Sequence, residues 1–365
     1  MTYTSHYSLI PNSFIMRIFI ISLAFIVGFA CQLHAQQEGV PSYEDTVAVY
    51  EDLFSAAEPL NLTLKFDLKA LKKTRREDVY HDAEMTSVVS DGFQVTDLVQ
   101  VKARGTFGRD ICTLPPIWLN IGHAGIKADS LQDVFRMKMV VRCKNAAQYE
   151  PYVLKEYLVY KIYNIITPLS YRVRLVRLTI IDTGKGNEVT EDWAFLQEPD
   201  ELMTLRLDGK MIENDELSMS RVNPEAINSL SLFQYMIGNA DYSVTGGHNL
   251  NILVLNSGNP PGFLPVPYDF DFSGLVNAHY ALPSENLGTT SVRERYYLGA
   301  CRPENVHKVT IQELAQLEDE IMEYIKDFEY LDDKEKVDMI EYLDSYFKES
   351  RESGFIDRKI VPTCR

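Results

Sequence analysis

The chain has 365 residues, 45% of them hydrophobic and 24% charged, with 52 acidic residues against 36 lysines and arginines. Those proportions belong to a globular protein rather than a disordered one, and the length allows one large domain or two smaller ones. The net charge of −16 excludes the basic footprint that nucleic acid or an anionic membrane surface would select.

The chain opens on a leader. Arg17 precedes an apolar run over residues 18–30, and Cys31 and Ala35 then lead to Gln36-Gln37. A positive charge, a short apolar run and a small residue before a polar stretch make a secretory signal peptide. The run is shorter than the roughly 20 residues of a membrane span. Residues 1–35 are therefore expected to be cleaved, leaving no membrane span, and the protein to be exported to the periplasm or beyond. Met16 as the start would make residues 1–15 an upstream extension. An uncleaved anchor is one alternative. A lipoprotein on Cys31 is another, but it wants a Leu-like residue where Gly28 stands.

Residues 36–58 read as a polar linker. Residues 59–198 then read as β-rich. Leu62, Leu64 and Phe66 alternate with polar residues, and so do Val99, Val101 and Ala103. A strand over residues 135–142 puts Arg136, Lys138 and Arg142 on one face, because side chains alternate with period two. Pro151 opens a helix to Asn164 carrying Val153, Tyr157, Tyr160 and Ile162. Strands follow over 171–181 and 193–196.

Residues 199–365 read as mainly helical. Asn223-Pro224 is a cap followed by proline in the first turn, and Gly238 stops that helix. Thr310-Ile311-Gln312-Glu313 has the form of a capping box, with Leu314, Leu317, Ile321, Ile325 and Phe328 as the buried stripe. Asp332 or Asp333 caps a last helix bearing Val337, Ile340, Leu343 and Phe347.

Polar residues concentrate between Gly238 and Gly274. A helix end delivers Asp241, a strand follows from Asn251, and a hairpin returns to Asp269-Phe270-Asp271. Two carboxylates in a Pro-Tyr-Asp-Phe-Asp run have no packing role, and burying one unpaired costs several kcal/mol, so a cation is expected nearby. Oxygen ligands of this kind suit magnesium chemistry on phosphates. Ser243 and Thr245 have no triad partners, and no HExxH or Walker loop occurs.

Asp241, then His248-Asn249-Leu250-Asn251-Ile252-Leu253, then Tyr268-Asp269-Phe270 resemble the catalytic and metal-binding loops of the protein-kinase-like superfamily, as phosphatidylinositol kinases and HipA kinases write them. Lys138 on a strand and Glu156 on the following helix are similar to a kinase's strand lysine and helix glutamate. Arg104-Gly105 resembles the Arg-Gly segment of the CotH family of secreted and spore-coat kinases. Leu196-Gln197-Glu198-Pro199 falls where a kinase hinge lies. The resemblance covers residues 100–280. It departs from the family in lacking GxGxxG, in the ten positions from Asp241 to Asn251, and in ending the metal motif on Asp271 rather than glycine.

The resemblance implies an α+β, two-lobed protein-kinase-like fold with a β-rich small lobe containing one helix and a mainly helical large lobe. It implies an atypical exported kinase using ATP or another nucleotide with magnesium or manganese, and a protein or small-molecule acceptor. Asp241 would accept the acceptor's proton, and Lys138 would hold the α/β-phosphates in an ion pair with Glu156. Arg104, Gln197 and Glu198 would help bind nucleotide. Asn251 and Asp269 would hold the metal, with Asn249 and Asp271 as further candidates. An inactive pseudokinase-type binding protein of the cell envelope is the main alternative, and a metal-dependent phosphoester hydrolase a third.

Removing Cys31 with the leader leaves Cys112, Cys143, Cys301 and Cys364, an even set in an oxidising compartment. No CxxC spacing suggests zinc. Of the three pairings, Cys112–Cys143 and Cys301–Cys364 are expected, because cross-links within each lobe leave a hinge free.

Overall fold

The computed structural model describes residues 53–88, 94–121, 136–212 and 221–365. The leader 1–35 with its extension, Cys31 and residues 36–52 of the linker lie outside the described residues, as does residue 135. Residues 53–55 form a helical turn, and Phe54 is buried with the barrel core described next, so the linker ends earlier than residue 58.

Seven strands close into a barrel: β1 (Leu60–Phe66), β2 (His81–Val88), β3 (Gln94–Ala103), β4 (Ile117–Asn120), β5 (Arg136–Val141), β6 (Val173–Asp182) and β7 (Glu188–Gln197). The order is β1-β2-β3-β4-β5-β7-β6. Neighbours are antiparallel except where β1 meets β6, which pair in parallel from Leu60↔Val176 to Phe66↔Asp182. That pairing removes both free edges. Alternating residues fill the interior: Leu62, Leu64 and Phe66, then Val99 and Val101, then Met137, Met139 and Val141.

Short helices α1 (Leu68–Lys73) and α2 (Phe107–Ile111) flank the barrel, and α3 (Glu150–Ile166) packs on its outside. Helix α3 is buried on nearly every side from Val153 to Tyr160, the pattern of a core helix rather than a surface one.

The C-terminal half carries α4 (Asp200–Arg206), β8 (Gly209–Ile212), α5 (Pro224–Met236), β9 (Leu250–Leu255), β10 (Leu264–Pro267), α6 (Glu304–Gln316), α7 (Glu318–Asp327) and α8 (Asp333–Ser350). Strands β8, β9 and β10 form an antiparallel sheet with β9 in the middle.

This architecture corrects the expectation of a two-lobed kinase-like fold with a helical large lobe. The first half is a closed barrel, and the second half has its own sheet. The largest hydrophobic core also crosses the expected boundary. It joins Val153, Leu158 and Tyr160 of α3 and Phe195 of β7 to Phe233, Phe270, Ile325 and Phe347.

Local signals fare better. Asn223 caps α5, its side chain accepting from the Ala226 N–H at 2.8 Å. The capping box does not form at Thr310, because α6 has already begun at Glu304. Thr310 is buried, and its hydroxyl accepts from the Asn228 amide at 2.8 Å. In α8, Leu343 and Phe347 are buried as expected, whereas Val337 is exposed. Both expected disulfides are present, Cys112–Cys143 and Cys301–Cys364. No helix among the described residues is long and apolar enough to cross a membrane.

Candidate functional site

Two loops from the C-terminal half meet the outer face of the barrel near Lys138 and α3. The first leaves α5 at Gly238, whose φ of +65° is a left-handed turn that glycine adopts without strain. The Asn239 side-chain oxygen accepts from the Asp241 N–H at 2.9 Å, and its amide donates to Gln234 at 3.0 Å. Ser243 and His248 exchange two backbone hydrogen bonds at 3.0 Å, folding the segment between them into a tight loop. His248 Nε2 comes back to within 2.9 Å of Asp241 Oδ1. Asn249 donates to the Asp241 carbonyl at 2.8 Å and to its Oδ2 at 3.1 Å. Both Asp241 oxygens are thus fixed, and the carboxylate keeps 41% of its exposure.

The second loop follows β10. The Tyr268 N–H donates to the Asn249 carbonyl at 3.0 Å. Asp269 has φ +64°, and its N–H donates to the Tyr160 oxygen of α3 at 2.8 Å. The Gly274 N–H donates to Gly238 O at 3.0 Å, and Leu275 N–H to Ile237 O at 2.9 Å, tying the two loops together. The Tyr342 hydroxyl of α8 lies against both glycines, where any Cβ would clash. Asp271 accepts from the Tyr280 hydroxyl at 3.1 Å.

Glu156 reaches this loop from α3. Its carboxylate is fully enclosed, with Oε1 lacking any hydrogen-bond partner. Burial raises its pKa well above the usual carboxylate range, and the Asp271 and Asp269 charges add to this. Burial also raises Asp271, to about 8, with Asp269 contributing. Asp269 itself is open to solvent on one side. Protein crowding on its other sides raises its carboxyl, while Arg104, Lys138 and His248 oppose the rise. Of the three carboxyls at this corner, Glu156 is the buried one and Asp269 the exposed one.

The cations come from the barrel. Arg104 follows β3 and acts on Glu156 and Asp269, and its Nε is buried without a partner. Lys138 on β5 lies over the Tyr268 ring at 4.7 Å and near the Tyr171 and Trp118 rings at 5.8 Å. Desolvation lowers its pKa, and Asp200 and Asp269 partly offset that. Lys138 and Glu156 form no ion pair: Lys138 faces Asp200 and Asp269, while Glu156 turns to Asp269 and Asp271.

The remaining expected residues are bound up locally. Asn251 donates to the Tyr171 oxygen at 2.5 Å and lies 3.4 Å from both Asp200 oxygens. The Tyr171 hydroxyl donates to Asp200 at 2.7 Å. Gln197, paired in register with Lys138, is buried; it accepts from the Tyr160 hydroxyl at 3.4 Å, and its amide nitrogen has no partner. Glu198 is 0% exposed and held by Arg172 and Arg206 at 2.8–3.0 Å. Its carboxylate is committed to these two arginines and to the Arg172 N–H.

The structure thus gathers Arg104, Lys138, Glu156, Asp241, Asn249, Asp269 and Asp271, with Asn251 and Gln197 alongside. Sequence reading missed Asp200, whose only signal was its place after Pro199 at a helix start. It also missed the roles of Tyr160, Tyr171, Tyr268 and Tyr280, which carried no local signal.

Among the described residues, no three His, Cys, Asp or Glu side chains converge closely enough to hold a metal unaided. The donor set does fit magnesium or manganese as phosphate enzymes use them, with one or two carboxylates and the remaining positions taken by phosphate oxygens and water. The unpartnered Glu156 Oε1 and the raised Glu156 and Asp271 carboxyls mark a corner crowded with acidic groups, whose charged forms a cation would favour. Compared with known proteins, the chain matches no family model and no curated sequence.

Proposed function

We propose that this protein transfers a phosphoryl group from a nucleotide, ATP or a relative of it, to a hydroxyl acceptor outside the cytoplasm. The observation that carries the reading is the opposition of Arg104, just after β3, and Lys138 on β5 to Asp269, which shares its corner with Asp241 and Asp271 on two joined loops. Cations across a cleft from carboxylates can hold a polyphosphate and its metal between them.

Arg104 and Lys138 would bind phosphate oxygens. Lys138 lies where burial disfavours its charge and Asp200 and Asp269 offset that only in part, so an incoming phosphate would add to their counter-charge. Asp241, oriented by His248 and Asn249, would accept the proton of the acceptor hydroxyl. Asp269 and Asp271, with Asn249 beside them, would hold magnesium or manganese, which neutralises charge on the transferred group when bound. The leader and the two disulfides favour an oxidising compartment, periplasmic or extracellular.

A binding protein of the cell envelope using the same cleft is the second reading. It is favoured by the commitment of Asn251 to Tyr171 and Asp200 and by the missing Lys138–Glu156 pair. Thermal shift with ATP and either metal, followed by transfer assays, separates the two. Asp269→Ala should abolish metal-dependent nucleotide binding. Asp241→Ala should retain binding and lose transfer by a factor of about 100 or more, the scale of general-base contributions. Binding without transfer, unchanged by Asp241→Ala, selects the binding protein. No binding by the wild type with either metal overturns both readings.

A further inference from the structure

The cleft has a barrel wall carrying Lys138 and a loop wall carrying Asp269, and the Tyr160 hydroxyl of α3 touches both. It donates to Gln197 Oε1 at 3.4 Å and accepts from the Asp269 N–H at 2.8 Å. Gln197 belongs to the barrel wall, where it pairs in register with Lys138 on one side and Val173 on the other. The Tyr160 ring spans the same two walls, meeting Phe195 of β7 at 5.5 Å and Phe270 of the loop at 4.7 Å, both edge-on. All three rings are buried, so close packing holds the tyrosine in one rotamer.

The two walls differ in stiffness. Gln197 sits in a strand with a ladder on each side. Asp269 lies beyond the end of β10, which stops at Pro267. Its φ of +64° is a backbone conformation that a residue with a Cβ keeps only where its surroundings hold it. The Tyr268 N–H is held by the Asn249 carbonyl at 3.0 Å, and the next N–H, that of Asp269, is held by Tyr160. The direction of the Asp269 carboxylate follows from this turn, because its Cβ is fixed to that backbone. A phenylalanine at position 160 would fill the same ring space and leave the Asp269 N–H without its acceptor. The peptide would then relax toward the ordinary extended region, and the carboxylate would swing with it.

We infer that Tyr160 is a positioning residue, whose hydroxyl references the Asp269 carboxylate to the Lys138 wall and so sets how tightly the cleft holds metal and nucleotide together. The inference rests on the proposed binding of a metal and a nucleotide in this cleft. Tyr160 acts through Asp269, with the rigid barrel as its reference.

The test compares the wild type with Tyr160→Phe and with Tyr163→Phe, a control further along the same helix whose ring packs on Phe233 at 4.4 Å. Amide hydrogen exchange of the metal-free protein, read by mass spectrometry on a peptide covering Asp269, should be faster in Tyr160→Phe and unchanged in Tyr163→Phe. The manganese concentration that half-saturates ATP binding, read by calorimetry, should rise about tenfold in Tyr160→Phe, the scale of one hydrogen bond, and stay unchanged in Tyr163→Phe. A general loss of packing would move both variants, whereas a positioning role moves only the first. Gln197→Leu removes the acceptor of the Tyr160 hydroxyl; it should shift the manganese requirement in the same direction, and serves if Tyr160→Phe folds poorly. Unchanged exchange at Asp269, an unchanged manganese requirement, or an equal shift in Tyr163→Phe would overturn the inference and leave the proposed function standing. A wild type that binds no ATP with manganese or magnesium overturns the proposed function, and the inference with it.

Discussion

Removing the charge of Asp271 should change how stability depends on pH. Glu156, Asp269 and Asp271 crowd one corner of the cleft. None of the three pairs with an arginine or lysine within ion-pair distance among the described residues, and Glu156 Oε1 has no hydrogen-bond partner. The Asp271 carboxyl is raised from 3.8 to about 8. A carboxyl raised in the folded state binds more protons there than in the unfolded chain between those two values. Stability therefore falls as pH climbs through that window and levels off above it. At about 1.4 kcal/mol per pH unit, the ceiling is roughly 6 kcal/mol. Asp271 retains some access to water and titrates together with its neighbours, so we expect a loss of about 1–3 kcal/mol. The assay is urea denaturation at fixed steps from pH 5 to 8.5 in EDTA, comparing the wild type with Asp271→Asn. The wild type should lose stability across that range, and the variant should lose distinctly less. Groups away from this corner, Asp192 among them with its carboxyl at about 6, contribute equally to both proteins and cancel in the difference, whereas Glu156 and Asp269 are relieved of the Asp271 charge and add to it. Parallel pH profiles for the two proteins would refute the reasoning.

Glu198→Ala should cost about 3–5 kcal/mol of stability, because it strands the Arg172 and Arg206 charges around an enclosed site; a loss of nucleotide binding at unchanged stability would instead make Glu198 a ligand residue. Replacing Cys301 and Cys364 by serine should lower stability by about 4 kcal/mol in the loop-entropy model for a separation of 63 residues, read as a drop in denaturation midpoint that a reductant reproduces in the wild type. Gly274→Ala places a Cβ 2.5 Å from the Tyr342 hydroxyl and 2.9 Å from the Val292 carbonyl, an overpacking cost of about 1–3 kcal/mol; adding Tyr342→Phe should recover part of it in thermal melts, and identical melts for the single and double variants would show that the hydroxyl is not the obstacle.

Sequence alone was enough for features that depend on neighbours close along the chain. The alternation of Leu62, Leu64 and Phe66 places them in a strand facing a core, because a strand's side chains alternate whatever lies beyond it. Asn223-Pro224 begins a helix, and Gly238 ends it, because capping and left-handed turns are local chemistry. The hairpin carrying Asn249, Asn251 and Asp269 was legible for the same reason, and the even cysteine count made two bridges foreseeable. Tertiary structure decided what depends on distant partners. Leu60 to Phe66 pair in parallel with residues more than a hundred positions away, and that one pairing turns an open sheet into a closed barrel. Glu156 and Lys138 have charges and spacing suited to an ion pair, yet Glu156 is aimed at Asp271 because α3 is enclosed against the Phe270 side of the core. Glu198 looks like an available carboxylate in the chain, and only the arrival of Arg172 and Arg206 from other elements satisfies it. Burial and long-range charge are sums over three-dimensional neighbours, so a one-dimensional pattern names the groups that carry the chemistry and leaves their partners to the fold.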